Sequence, residues 1–464
     1  MLIQGYHPGL EDDAFYLAAI KHNLNPALFP HDTDFFRLQF QATIFDKVIA
    51  YSIRLTHLPI DWAVLLWQFA ATLLILWGCL SIARLCFRSA HAQWAAVMLV
   101  AVLLTIPVSG TAVSLTDQYL HPRALATAAI LAAIVATLKE RWRTAAVLLA
   151  IAFLTHAIMA SFGLSFCIFL AWKPSRPQLQ MAALLLPLGW VFEPASDEWR
   201  QAASTRQFYY LNRRSWYEWL GVIAPLVLLW WFSRIAQRKE LPVLARLASR
   251  LVYFGLFQMV VGLVIMLPQQ FERLRPFEPM RYLQLVYLLF FLIAGGLLGE
   301  CVLGKHTYRW VLLFLPLGLG MFYAQRQMYP ATTHLELPGT RSNNPWLEAF
   351  AWIRQHTPTD SLFALDPYYM ELPREDFHGF RALAERSVLA DYVKDGGMAA
   401  RVPRLAPRWQ REVEAQTGWK NFQAADFHRL RNSFGVNWVV LAQPPVAGMT
   451  CPYQNQGISV CRLE

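Results

Sequence analysis

Charge is scarce in this chain: 16% of its 464 residues are Asp, Glu, Lys or Arg, against the roughly 25% of soluble domains. A soluble enzyme is disfavoured on that ground alone. The C-terminal tail also lacks a Gly-rich phosphate loop, a Gly-x-Ser-x-Gly elbow and a Cys/His metal constellation, and no nucleotide-binding domain is visible anywhere. Acidic residues are outnumbered, 31 to 41, for a formal charge of +10. From residue 329 onward 14 basic and 14 acidic residues cancel, so the excess lies in the hydrophobic part, where membrane topology accounts for it. No basic stripe is left for nucleic acid. Four of the six cysteines, Cys79, Cys86, Cys167 and Cys301, lie in or beside apolar runs without metal-ligand spacing and read as packing residues.

What the chain has in quantity is apolar surface: 56% hydrophobic and 14% aromatic residues, 18 of them Trp. Runs long enough for a bilayer, which takes about 20 helical residues, cover 62–86, 92–108, 122–138, 217–235, 250–268, 282–300 and 309–325, with a shorter one at 179–193. The stretch 144–172, with His156 at its middle, is too long for one upright span and too short for two full ones. Read as a hairpin, it puts the loops near 84–91, 139–143, 173–178, 234–250 and 305–309 on one side, with about 14 basic residues against 8 opposite. That gives ten crossings, with His156 a polar residue satisfied at the hairpin turn. The expected organisation is an α-helical polytopic membrane protein: an outer acidic loop and interfacial helix at 1–61, a membrane domain at 62–328, and a small extracytoplasmic α/β domain at 329–464. On that side Cys451 and Cys461 meet an oxidising compartment, and a disulfide between them is predicted. The polar, acidic start has neither a signal peptide nor a preceding span, so a first helix is expected upstream of Met1.

Between the acidic loop and the first span, Phe36, Phe40, Ile44 and Val48 recur every four residues, which predicts an amphipathic helix lying in the interface. In the tail, a helix is expected after Asn344-Pro345 with Trp346, Phe350 and Ile353 on one face, then a strand at 361–365, helices at 405–416 and 421–433, and strands at 438–441 and 458–461.

The strongest chemical signal is the opening segment, GYHPGLEDDAFYLAAIKHNLNPALFPHDTDFF, with Glu11, Asp12 and Asp13 in succession and then His31, Asp32 and Asp34. Adjacent carboxylates raise one another's pKa, so such a cluster calls for a cation, a proton or a ligand. A divalent metal or a general base are the functional options, and acids favouring a helix N-terminus is the structural one. SLTDQYLHPR adds Asp117, His121 and Arg123 before a span, and PQQFERLRPFEPMR adds Arg273, Arg275 and Arg281 on the side where arginine is disfavoured; guanidinium suits bidentate phosphate binding. In DEWRQAASTRQFYYLNRRSWYEW, Arg206, Arg213 and Arg214 alternate with aromatics, as in a sugar platform or an ordinary aromatic belt.

Acids in the first outer loop, an interfacial helix behind them, about ten spans with a short hairpin, and an exported C-terminal domain together resemble the GT-C superfamily of membrane glycosyltransferases. GYHPGLEDDAFYLAAI, LNPALFPHDTDFF and the tail's FRALAERSVLADY look like a bacterial group of GT-C-like proteins with no assigned reaction. The resemblance implies a protein of the bacterial plasma (inner) membrane that moves a sugar from a polyprenyl-phosphate carrier to an extracytoplasmic acceptor. Asp12 or Glu11, and after them Asp13, would take the place of the catalytic acid, and Asp117 that of a second acidic position. A divalent Mg or Mn at Asp12 is implied. For the phosphate, Arg281 with Arg273 or Arg275 is available, and His121 and Asp32 join the candidate substrate contacts. The tail lacks the sequon-reading motif of oligosaccharyltransferase subunits, which argues against protein N-glycosylation. The alternative is a non-catalytic multi-pass protein that binds lipid or scaffolds an envelope assembly. A transporter has less support, since inverted repeats and charged mid-span residues are missing.

Overall fold

A computed structural model describes residues 1–172, 194–376, 378–442 and 445–463, apart from the side chains of 38–40. The apolar run 179–193 and the loop 173–178 lie outside the described residues. The chain is an α-helical membrane protein with a C-terminal sheet region. Among the described residues four helices are long and apolar enough to cross a bilayer: Ile60–Cys86, Trp216–Arg238, Pro242–Met266 and Pro279–Leu303. Four more apolar helices, Ala90–Val102, Pro122–Leu138, Trp142–Thr155 and Ala157–Ala171, have 13 to 17 residues. At 1.5 Å per residue they reach about 20–26 Å, short of the roughly 30 Å hydrocarbon layer.

The expected ten crossings are therefore not found among the described residues. The reason is local: a sequence window averages apolarity across a helix end. Run 92–108 leaves the helix at Val102 and continues into strand β1 (Pro107–Val108), which pairs antiparallel with β2 (Val113–Ser114). Helix Thr307–Met328 has the length, but Arg309, Gln325 and Arg326 dilute it and it is not among the four. Stretch 144–172 breaks at His156 into two helices; His156 caps the second, its Nδ1 accepting from the Met159 N–H at 3.3 Å.

Lipid-facing and core-facing sides separate cleanly. On Ile60–Cys86, Leu66, Phe69, Leu73 and Trp77 face outward, while Val64, Ala71, Ile75, Cys79 and Ile82 are buried. Small residues bring helices close: a Cβ added at Gly295 would stand 2.6 Å from the Ala95 carbonyl oxygen. Loops 84–91, 234–250 and 299–309 share one end of the bundle, where Arg88 donates to the Glu240 carbonyl at 2.9 Å and Ser89 to the Glu300 carboxylate at 2.7 Å.

At the other end, loop 104–118 is fastened by three buried glutamines. Gln68 donates to the Asp117 carbonyl (2.9 Å), Gln284 to the Leu115 carbonyl (2.6 Å), and Gln325 accepts from the Gln118 amide (2.5 Å). An amide inside an apolar bundle is tolerated only when paired, so these three contacts fix the loop.

The interfacial helix differs from its expected place. The stripe Phe36–Val48 spans two helices, Arg37–Ala42 and Phe45–Thr56, separated at Thr43–Ile44. Phe45, Ile49 and Ile53 pack inward, and Ile44, Val48, Tyr51 and Leu55 form an exposed apolar face.

The C-terminal sheet has the order β4-β3-β5-β7-β6, with β3 (Leu362–Leu365) parallel to β4 (Ser387–Val388) and β5 (Trp438–Leu441), and β7 (Ser459–Arg462) antiparallel to β5 and β6 (Thr450–Gln454). Helix Pro345–His356, capped by Asn344, buries Trp346, Phe350 and Ile353 against it, and helices Ala406–Ala415 and Ala424–Phe434 follow. Cys451 and Cys461 are joined by a disulfide across β6 and β7.

The N-terminal segment is sewn to this region. The Gly379 N–H donates to the Gly9 carbonyl at 2.8 Å, and Lys21 Nζ meets Glu385 at 2.7 Å. Buried Arg381 forks onto Asp395 at 2.9 Å for both bonds and also pairs with Asp32.

Candidate functional site

Where the loop-bearing end of the bundle meets the C-terminal region lies a cavity of about 670 Å³. Its walls come from the N-terminal turn, the β1–β2 hairpin and the loop after it, residues 206–218, the turn before Tyr282, and helix Lys394–Arg401. The turn is tight: Gly9 and Glu11 both hold positive φ, +82° and 53°. For Glu11 this left-handed conformation is disfavoured. It sets Glu11 and Asp12 side by side toward the cavity.

Helix Asp13–Leu24 starts immediately afterward, yet the Asp12 carboxylate makes no cap hydrogen bond. It receives Lys394 Nζ at 2.9 Å, and the same ammonium pairs with Glu11. Burial, the largest single effect, would lift the Asp12 pKa, but Lys394, with His121 and Arg206 behind it, holds the carboxyl well below the usual range. Lys394 is raised, the two carboxylates overcoming its burial.

Asp117 accepts from Arg123 Nη2 on both of its carboxylate oxygens (2.5 and 2.7 Å). His121 caps helix Pro122–Leu138 with Nδ1, which accepts the Arg123 N–H at 2.9 Å, so neutral His121 carries its proton on Nε2, 4.0 Å from Asp12 Oδ2. Burial, then Arg123, keep its pKa well below 6.5. Arg281 pairs with Glu278, which also accepts from Arg401 at 2.6 Å. Arg206 lies against Gly397, where a Cβ would come within 2.1 Å of its Nη2. Six carboxylates and five cations line the space, so most of its charge is compensated internally.

The cavity thus brings Glu11, Asp12, Asp117, Arg123, Arg206 and Arg281 together. The remaining candidates lie elsewhere. Asp13 points back into the turn and accepts the Gly9 N–H at 2.6 Å; burial pushes its carboxyl up to about 7. Asp32 is sealed against Arg381 and the Val388 N–H (3.1 Å). His31 and Asp34 face other partners at the C-terminal region, the Asp360 carbonyl and Arg408. Arg273 donates to the Pro194 carbonyl at 3.0 Å, and Arg275 stacks over Tyr210 at 5.2 Å. Arg213 also covers Tyr210, and Arg214 donates to the Gly110 carbonyl at 2.7 Å. Among the described residues, no group of three or more His, Cys, Asp or Glu is arranged to hold a metal ion.

Sequence reasoning missed Lys394, Arg401 and Glu278. Lys394 follows the FRALAERSVLADY motif by two residues, and its Lys-Asp-Gly-Gly sequence, with glycines that let a helix approach closely, was the available signal. Residues 344–400, which include Lys394, match a family described as Domain of unknown function (DUF6798). Among curated proteins, none matches the chain.

Proposed function

We propose that the chain is a membrane glycosyltransferase that moves a sugar from a polyprenyl-phosphate carrier to an extracytoplasmic acceptor, with its site in this cavity. The observation that carries the reading is the gathering of Glu11, Asp12, Asp117, Arg206 and Arg281 around one space at the ends of apolar helices. A lipid-linked donor needs such a place: its tail stays among the helices and its phosphate reaches guanidinium groups at their ends. In the transfer, an acceptor hydroxyl oxygen bonds to the anomeric carbon, the bond from that carbon to the phosphate oxygen breaks with its electron pair going to phosphate, and the hydroxyl proton passes to Asp12. Arg281 or Arg206 stabilises the phosphate that leaves.

For sidedness, two features support a bacterial plasma-membrane protein with the cavity and C-terminal region outside. The disulfide suits an oxidising compartment. The basic loops 84–91 and 234–250 cluster at the opposite end, as cytoplasmic loops do.

Purified protein in nanodiscs, given a radiolabelled polyprenyl-phosphate sugar, tests the reading beside Asp12→Ala. Transfer by the parent that survives the substitution undiminished would sink it.

A second reading has its own observation: Asp12 with Lys394, Asp117 with Arg123 and Arg281 with Glu278 are already paired. A non-catalytic protein that binds lipid or scaffolds an envelope assembly needs no more than that. It predicts unchanged envelope glycans by mass spectrometry in a deletion strain.

A further inference from the structure

The likeness to GT-C enzymes implies a divalent metal at the first-loop acids, and the residues present do not fit one between Glu11 and Asp12. Lys394 Nζ already stands there, paired with Glu11 and 2.9 Å from Asp12 Oδ1. Its side chain is 6% exposed, whereas those of Glu11 and Asp12 are about a third open to the cavity, at 35% and 31%. A metal bridging both carboxylates at the roughly 2.0–2.2 Å of a carboxylate–metal bond would fall on the volume of the ammonium and meet its charge.

Nor is the helix that carries Lys394 free to shift away. The Lys394 backbone N–H donates to Asp391 Oδ1 at 2.6 Å, fixing the start of the helix. Two residues on, Gly396 and Gly397 press that helix against Thr205 and Arg206, where no Cβ fits without movement. Arg381, clamped to Asp395 in the same helix, locks the element to the Asp32 loop.

We infer that Lys394 is a built-in cation of the acid pair, a positioning residue delivered by the C-terminal region that pairs with both Glu11 and Asp12 and takes the place of a divalent metal between them. The inference rests on the transferase reading for the role of Asp12, but its test does not use transfer. One consequence concerns assembly: the acid pair has its counter-charge only while helix Lys394–Arg401 is docked.

The test is Mn²⁺ binding to the full chain in nanodiscs, read by electron paramagnetic resonance, for the parent, Lys394→Met, Lys394→Arg, and Lys394→Met combined with Asp12→Asn. The parent and Lys394→Arg are expected to bind no Mn²⁺ that depends on Asp12. Lys394→Met, its folding checked by tryptophan fluorescence, is expected to gain one bound Mn²⁺ per chain, and the added Asp12→Asn to abolish it. One Mn²⁺ bound by the parent and lost with Asp12→Asn overturns the inference, as does a folded Lys394→Met that gains none. If Lys394→Met fails to fold, Lys394→Gln replaces it; if both fail, the parent against Asp12→Asn decides alone. A chain that transfers no sugar yet gains Mn²⁺ on losing Lys394 sinks the transferase reading and keeps this one.

Discussion

Replacing Arg381 with Met tests how the two parts of the chain are held together. Arg381 is buried, and it pairs with Asp32 and Asp395, 1% and 0% exposed. Met keeps the volume and removes the charge, leaving two buried carboxylates with one backbone N–H each, from Val388 (3.1 Å) and Asp391 (2.9 Å). A carboxyl that must stay neutral at pH 7 costs about 1.36 kcal/mol for each unit between its ordinary value near 3.9 and 7, or about 4 kcal/mol. That agrees with the roughly 3–5 kcal/mol lost when one partner of a buried ion pair is removed. The assay is hydrogen exchange of the full chain in nanodiscs, giving the opening free energy of segment 387–401. The sign with pH follows from the same chemistry. The stranded carboxyls have raised folded-state pKa values, so the variant's folded form binds more protons than its unfolded form and regains stability as pH falls. At pH 5 the deficit from one carboxyl shrinks to about 1.5 kcal/mol. A deficit under about 1 kcal/mol at pH 7, or one that does not change between pH 7 and 5, refutes the reasoning. Asp32→Asn combined with Arg381→Met should cost less than the sum of the two single changes.

Other outcomes are as specific. Asp13, with its carboxyl pushed up to about 7, binds a proton in the fold that the unfolded chain releases above its ordinary value, so stability rises as pH falls from 8 toward 4. Asp13→Asn should flatten that slope in thermal melts and stabilise the protein at pH 8; an unchanged slope counts against it. Gln284→Leu strands the Leu115 carbonyl at a cost of about 1–3 kcal/mol, and faster proteolysis of loop 104–118 is the expected sign. Opening the Cys451–Cys461 loop, which has a sequence separation of 10, should cost about 2.7 kcal/mol on the chain-entropy account. Denaturation of Cys451→Ser/Cys461→Ser beside the parent measures that loss, and intact mass with and without reductant checks that the bond is present.

What the sequence determined was solvent and period. Sparse charge and long apolar runs require lipid around the helices, whatever their packing, and the helix after Asn344-Pro345 and the strands at 362–365 and 438–441 follow from local pattern. Helix length was another matter: where the chain turns after Val102 or at His156 depends on what neighbouring helices and loop 104–118 offer it, and apolarity does not record that. Among the acids, composition could not separate Asp12 from Asp13 or Asp32. Three carboxylates in a row look alike as letters, but a left-handed Glu11 turns one toward the cavity and its neighbour into the backbone. Only tertiary structure brought Lys394 to Asp12 across 382 residues, because an ion pair is set by distance in space, and sequence carries distance only along the chain.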